Sequence, residues 1–228
     1  MTSIHSGKER ARGGGKAHWL RSLIAVFLSG VLAGCAEDES SLCEFDTPPQ
    51  KKSVPRADHA PFKGAAEAKV VIQQFADFQC PYCAEVEKTL DEVMQVYGGQ
   101  VRLEWRNRPL PKHPDAFLGA QAALEAFEQK GNSGFWAMHQ KLFENLRTPQ
   151  GLKREKLDGY AQQVGLDMDR WKIAMDNQTH KSAVEADVQA AESAGIQRTP
   201  GFMINDYFVS GAQPFSTFEA LIDCALSE

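Results

Sequence analysis

The chain has 228 residues, of which 43% are hydrophobic and 24% charged, and its formal net charge is −5. This composition is that of an ordinary globular protein, and the chain is too long to be a miniprotein held together by disulfides. Residues 1–34 carry five Lys or Arg and one Glu, so their removal would change the net charge to −9. A chain this acidic is not expected to bind nucleic acid.

The first 34 residues have the layout of an export signal. A basic stretch that ends at Arg21 leads into the apolar run 23–32, which is shorter than the about 20 residues of a membrane-spanning helix. The run ends in Leu32-Ala33-Gly34-Cys35, which resembles the bacterial lipobox. This resemblance implies cleavage before Cys35 and attachment of lipid to it, with Ala36 favouring the outer membrane. The alternative is a chance cleavage site followed by a free thiol.

Residues 35–60 are predicted to form a flexible tether between this lipid anchor and a folded domain. The segment is polar, contains Pro48-Pro49 and Lys51-Lys52, and has little apolar surface to bury. The folded domain is therefore predicted to comprise residues 61–228.

This domain begins with a predicted strand–helix–strand unit. The run 70–76 is more apolar than alternating, which is typical of a strand inside a sheet. The spacing of apolar residues predicts a helix over 85–97, and 101–106 alternates like a second strand. Two strands joined in this way are expected to be parallel.

A helical block and a second group of strands follow. Helices are predicted at 115–130, 134–146, 153–164, 168–176 and 180–194, in an insertion of about 112–195. Trp136 and His139 recur at helical spacing and are interpreted as part of a packing face. A hairpin is predicted at 201–204 and 207–211, and then a helix that starts at Ser216, with Glu219 completing a capping box. This order predicts an α/β protein, a thioredoxin fold with an inserted all-helical subdomain.

The motif Cys80-Pro81-Tyr82-Cys83 lies between the first strand and the first helix. At a helix N-terminus a thiol pKa falls from about 8.5 to roughly 3.5–7.5. Cys80 is therefore predicted to be an exposed nucleophile and Cys83, one turn into the helix, a shielded resolving thiol. The alternatives are an inert disulfide or half of a metal site. We expect neither a metal nor an organic cofactor, since no second Cys-x-x-Cys or spaced His pair completes a zinc set.

The segment Arg198-Thr199-Pro200-Gly201 immediately precedes the hairpin. A cis proline here would present the Thr199 backbone to an extended substrate. A trans proline that merely ends the preceding helix is the alternative, and these residues alone leave both open.

Four segments together resemble the DsbA-like family of periplasmic thiol:disulfide oxidoreductases: Phe75 to Cys83, Arg108 to Leu110, Thr199 to Asn205 and Val209 to Pro214. The resemblance extends from about residue 60 to residue 228. It implies a thioredoxin fold with a helical insertion, Cys80 as nucleophile, Cys83 as resolving thiol and Pro200 in the cis form.

The sequence departs from the family pattern in ways that concern proton transfer and charge. Many members have a buried Glu as a proton relay where this chain has Gln74, so that Glu85 or water would have to serve. Arg198 replaces a common Gly and either adds positive charge near the thiolate or is solvated. His113 either faces the active site, where an imidazolium would favour the thiolate, or is an ordinary surface histidine. Asp77 is a turn residue or a polar group behind the cysteines.

Two further cysteines, Cys43 and Cys224, are predicted to form a structural disulfide, because unpaired thiols are uncommon in an oxidising compartment. The alternative is a buried Cys224 with a free Cys43.

The sequence thus predicts a monomeric, lipid-anchored protein that faces the periplasm. It is expected to donate its Cys80–Cys83 disulfide to cysteine-containing exported proteins, and to be reoxidised by a membrane thiol oxidase linked to quinones. The alternatives are a disulfide reductase or isomerase, and a redox-silent lipoprotein that binds peptides or metal-delivery proteins.

Overall fold

The computed structural model describes Cys43 and residues 50–58, 60–148 and 150–228. The elements are β1 (Phe62–Gly64), β2 (Val70–Ala76), α1 (Pro81–Tyr97), β3 (Val101–Asn107), α2 (Ala116–Glu144), α3 (Arg154–Val164), α4 (Met168–Asp176), α5 (Lys181–Ser193), β4 (Gly201–Ile204), β5 (Tyr207–Ser210) and α6 (Phe215–Ser227). The predicted export signal and the proposed lipid attachment at Cys35 lie outside the described residues. No helix within the described part of the chain is apolar over a length that would cross a bilayer.

The five strands form one sheet in the order β1-β3-β2-β4-β5. The pair β2 and β3 is parallel, as predicted, and the other neighbours are antiparallel. In the register of β2 with β4, Phe75 lies opposite Gly201. Because β2 leads into the Cys-x-x-Cys motif and Pro200 precedes β4, this register brings the two motifs to the same edge of the sheet.

Helices cover both faces of the sheet. On one face, Ile72 of β2 belongs to the same apolar core as Leu90 of α1 and Phe218 of α6. On the opposite face, Phe75 of β2 contacts a smaller cluster that includes Ala191 of α5, since side chains alternate along a strand. The predicted thioredoxin fold with an all-helical insertion is therefore confirmed, and α2 to α5 form the insertion.

Some local expectations differ from the structure. The two helices predicted at 115–130 and 134–146 are confirmed as the two parts of α2, which the non-helical Gly131, with a φ of 61°, separates. The predicted capping box at Ser216 is wrong: α6 starts at Phe215, after Pro214, and its N-terminus has no side-chain cap. Strand β1 was not predicted, because three residues are too few to show a period.

The structure also corrects the domain boundary predicted at residue 61. Residues 50–58, in the predicted tether, contact the domain: Phe208 N donates a hydrogen bond of 2.8 Å to Gln50 O, and Arg56 pairs at 2.6 Å with the fully buried Glu104. Residues 50–58 pair with backbone groups on the outer edge of β5, which would otherwise have no partner in the sheet. Arg56 provides the partner that the buried Glu104 carboxylate requires.

Candidate active site

The turn between β2 and α1 places Cys80 at the N-terminus of α1. Cys80 N donates a hydrogen bond of 3.0 Å to Asp77 O, and Gln79 N donates one of 2.7 Å to Asp77 Oδ1. Cys80 itself is the N-cap residue, with extended backbone, and Pro81 begins the helix. Proline is well suited to this position because its fixed φ is helical and its missing N–H would have no partner in the helix.

Cys80 and Cys83 are both free thiols in the structure, which is therefore that of the dithiol form. Cys80 is only 3% exposed, so the prediction that it is an exposed residue is wrong. Its Sγ donates a hydrogen bond to Thr199 O at 3.3 Å. The sulfur lies at the base of a groove rather than on the surface, because the loop that carries Thr199 covers it.

The surroundings of Cys80 favour its thiolate. Hydrogen bonding from the Cys83 thiol is the largest cause that lowers the pKa of Cys80, from 9.0 to about 5, against the opposing effect of burial. The Thr199 side chain and the backbone at Cys83 and Tyr82 lower it further. The Thr199 hydroxyl is buried and has no other hydrogen-bond partner among the described residues, so it is available to donate to the thiolate.

Cys83 behaves in the opposite way. It is 0% exposed and belongs to an apolar cluster with Phe78 and Trp105. Burial raises its pKa well above the ordinary value, and its hydrogen bond to Cys80 and the charge of Cys80 raise it further. At neutral pH the pair therefore consists of one thiolate and one thiol.

Three segments line a groove of about 790 Å³ beside Cys80: residues 80–82, 110–113 and 197–199. Tyr82 is 61% exposed in it. The Thr199–Pro200 peptide bond is cis, and Gly211 N donates a hydrogen bond of 2.8 Å to Pro200 O, which fixes the loop to the end of β5. No described residue accepts a hydrogen bond from Thr199 N–H. The loop next to the sulfur thus contains a backbone donor without a partner among the described residues.

His113 and Asp77 form one unit under the rim of this groove. His113 Nδ1 lies 2.7 Å from Asp77 Oδ2, which also accepts a hydrogen bond of 2.7 Å from Leu110 N. Asp77 is 1% exposed. Of the two roles that the sequence left open for it, it is therefore the polar group behind the cysteines. His113 faces the groove, whereas Arg198 lies exposed on its lining.

Gln74 is buried beneath α1 and contacts a carboxylate that the sequence analysis did not identify. Its Nε2 donates a hydrogen bond of 2.9 Å to Glu87 Oε1, and its own Oε1 has no partner in the structure. Glu87 Oε2 lies 3.4 Å from His139 Nε2. Burial raises the pKa of Glu87, but His139 and Gln74 outweigh it and the net pKa is lowered. Glu85, the candidate from the sequence, is exposed.

Only one feature of the sequence indicates that Glu87 and His139 lie near the cysteines. Glu87 is four residues after Cys83, and residues at this spacing share a helix face. His139 was assigned to a packing face, and it does contact aromatic rings: its ring centroid is 5.0 Å from that of Trp105. Its contact with Glu87 joins two helices and leaves no trace in the local pattern.

A disulfide joins Cys43 to Cys224. The neighbouring Asp223 accepts a hydrogen bond of 2.7 Å from Tyr97 at the far end of α1. A helix of 17 residues is about 25 Å long, so this disulfide lies at the pole opposite Cys80. Together with Glu228 the two sulfurs lie within 4.8 Å, but bonded sulfurs are not available as metal ligands.

The chain matches curated proteins that are named as sodium/proton antiporters. Na(+)/H(+) antiporter NhaA 3 of Salinispora tropica is 36% identical over 152 residues, which are 66% of this chain and 22% of the antiporter. NhaA of Herminiimonas arsenicoxydans is 29% identical over 172 residues, or 75% of this chain and 26% of that protein. The chain thus spans about a quarter of the length of these relatives.

Solved structures resemble the chain over most of its length. BdbD from Bacillus subtilis has a TM-score of 0.69 at 23% identity, and the match covers 79% of this chain and 100% of BdbD. At this identity the similarity is evidence for a shared fold only. DsbA2 from Pseudomonas aeruginosa has a TM-score of 0.61 at 27% identity, over 76% of this chain and 96% of its own. A periplasmic thioredoxin-like protein from Salmonella enterica serovar Typhimurium has a TM-score of 0.61 at 26% identity, and the match covers 77% of this chain and 94% of that protein.

A family model described as thioredoxin matches residues 57–224. This match includes both cysteines of the motif, the cis-proline loop and the whole helical insertion. The chain therefore belongs to the thioredoxin family, and within it to the DsbA-like proteins.

Proposed function

We propose that this protein is an extracytoplasmic thiol:disulfide oxidoreductase that donates its Cys80–Cys83 disulfide to cysteine-containing exported proteins. One observation supports this proposal most strongly, the pKa of about 5 at Cys80. A thiolate that is stable at neutral pH makes the dithiol form stable and its disulfide a good oxidant. The same feature supports donation of a disulfide over the reductase and isomerase alternatives.

The exchange runs in two steps. A client thiolate attacks Cys80 Sγ of the oxidised pair, the bond between the two sulfurs breaks, and Cys83 leaves and takes up a proton because its pKa is raised. A second client thiolate then attacks the client sulfur of the mixed disulfide, and Cys80 leaves as a thiolate. Two electrons pass from the client to the protein. Of the two protons that the client thiols lose, one is bound at Cys83 and one is released.

The cis-proline loop would hold the client during these steps. Thr199 O adjoins the sulfur and Thr199 N–H has no partner among the described residues, so we propose that an extended client segment pairs with the loop as a strand does. This pairing with the client backbone would place the client sulfur in line with Cys80.

The cellular setting remains part of the proposal. The Cys43–Cys224 disulfide supports an oxidising compartment, and the similar protein from Salmonella is periplasmic by its description. We propose that the protein is a monomer, attached through lipid at Cys35 to the periplasmic face of a membrane, with the outer membrane favoured. A membrane thiol oxidase linked to quinones would reoxidise it. No metal or organic cofactor takes part in the exchange.

The reduction potential of the Cys80–Cys83 pair tests this function. We expect a value near that of a strong oxidant, about −120 mV, whereas one of about −200 to −270 mV would contradict donation of disulfides. Mass spectrometry of the alkylated thiols at each potential separates this pair from Cys43 and Cys224.

A trapping experiment tests whether exchange occurs at all. In the Cys83→Ala variant the mixed disulfide at Cys80 cannot be resolved by the protein itself, so exported proteins should accumulate on it. The matched control, Cys80→Ala, should trap none. If Cys83→Ala also traps none, the protein is a redox-silent binding module.

A further inference from the structure

The groove beside Cys80 has a positive lining, although the chain as a whole is acidic. Lys112 and Arg198 both line it, both are exposed, and neither forms an ion pair with any described residue. Among the described lining residues there is no Asp or Glu. The His113 ring, in contrast, has a partner in Asp77, whose Oδ2 lies 2.7 Å from Nδ1. Two cations in the groove are therefore left without a partner of their own.

The two cations come from different parts of the chain and flank the position of a client. Lys112 lies in the loop between β3 and α2, whereas Arg198 immediately precedes Thr199 in the cis-proline loop. A client strand that pairs with Thr199 would place the side chains next to its cysteine within reach of Arg198. Opposite charges on neighbouring strands attract.

These cations are not needed to form the thiolate. The lowered pKa of Cys80 is caused by Cys83, by Thr199 and by the backbone at Cys83 and Tyr82. Neither Lys112 nor Arg198 is among these causes. Their exposed, unpaired positions are better suited to meeting a charged group that arrives from solution.

Resting on the function proposed above, we propose that the groove selects clients whose reactive cysteine has an acidic residue within two positions. The apolar part of the groove, at Tyr82, Leu110 and Pro111, would take the apolar side chains of the same segment. Lys112 and Arg198 are then determinants of specificity, and Cys80 remains the only residue that reacts with the client.

Three cysteine peptides that differ only in a Glu, Gln or Lys two residues after the cysteine test this proposal. Their rates of reaction with the oxidised protein are compared per thiolate, because an acidic neighbour raises the pKa of the peptide thiol. We expect the Glu peptide to react roughly three to ten times faster than the Lys peptide at low salt, from two exposed charge pairs. The ratio should approach one in about 1 M salt, where the Debye length is about 3 Å.

A charge-reversal variant and a matched control locate the effect. Lys112→Glu with Arg198→Glu should invert the preference and leave the Gln peptide able to react. Lys156→Glu with Lys172→Glu changes the net charge equally, at two exposed and unpaired lysines of α3 and α4, and should keep the wild-type ratio.

The outcomes separate this inference from the proposed function. A ratio of one in the wild type, or the same inversion in the control variant, overturns the client preference while reaction of the Gln peptide leaves the exchange function standing. If none of the three peptides reacts, the proposed function fails, and the preference fails with it.

Discussion

The hydrogen bond from the Cys83 thiol is the largest cause of the low pKa of Cys80, and replacing Cys83 should show this directly. Cys83→Ala removes the donor, whereas Cys83→Ser keeps a hydroxyl at nearly the same place. We expect the alanine variant to raise the pKa of Cys80 and the serine variant to leave it near the wild-type value. Thr199→Val, which removes a smaller contribution, should raise it less than Cys83→Ala does.

The expected change in the ionisation of Cys80 lies between two limits, which the lowered and the ordinary pKa define. With a pKa of about 5, Cys80 is about 99% thiolate at pH 7, whereas with the ordinary value of 9.0 it would be about 1% thiolate. The alanine variant retains Thr199 and the backbone donors, so its midpoint should lie between these limits. At pH 5 the wild type should be about half ionised, and the alanine variant mostly protonated.

The rate of alkylation by iodoacetamide, followed from pH 3 to 9, measures these midpoints because only the thiolate reacts. Cys43 and Cys224 are bonded to each other and do not react, and mass spectrometry confirms the site of alkylation. A wild-type midpoint near 9 would refute the reasoning. So would equal midpoints for wild type, alanine and serine variants, because the helix N-terminus alone would then explain the shift.

Three further predictions concern stability. Because the folded pKa of Cys80 is lowered from 9.0 to about 5, its ionisation stabilises the folded dithiol form fully above pH 9 and no longer below pH 5. As the pH is lowered from 9 to 5, the melting temperature of the dithiol form should therefore fall relative to that of the disulfide form, which has no Cys80 thiol to ionise and serves as the control. Cys43→Ser with Cys224→Ser should lower the free energy of unfolding by about 2–4 kcal/mol in a urea titration, without changing the rate of exchange with peptides. Arg106 Nε lies 2.6 Å from Asp187 Oδ1, so Asp187→Ala leaves a buried charge on Arg106 without its ion-pair partner. The free energy of unfolding should fall by about 3–5 kcal/mol. A decrease of less than about 1 kcal/mol would show that water replaces the carboxylate.

Elements with an internal period could be predicted from the sequence almost to the residue. The run 70–76 is strand β2 as predicted, and the helices predicted at 153–164 and 168–176 are α3 and α4 with starts within one residue. Their patterns arise from burial of one or both faces, which is recorded in the segment itself. Strand β1 has three residues and exists because β3 offers an open edge, so only its partner specifies it.

The same distinction holds for the site. The Cys80–Cys83 motif and the Thr199–Pro200 loop are visible in the sequence because each is a short contiguous motif. Glu87 of α1 accepts a hydrogen bond from Gln74 of β2 and contacts His139 of α2. Only tertiary packing brings this strand and these two helices together. The burial of Cys80 was missed for the same reason, since the residues that cover it are distant in the chain.

The opposite behaviour of the two sulfurs follows from their different surroundings at the start of one helix. Cys80 is the N-cap residue of α1, where the Cys83 thiol, Thr199 and the backbone of Cys83 and Tyr82 lower its pKa. Cys83 lies inside the helix, where its own N–H donates to Cys80 O at 3.1 Å and burial dominates at its sulfur. In the proposed exchange a client would therefore attack Cys80, and Cys83 would receive the proton when their bond breaks. The order of the steps in the proposed exchange thus follows from where β2 ends and α1 begins.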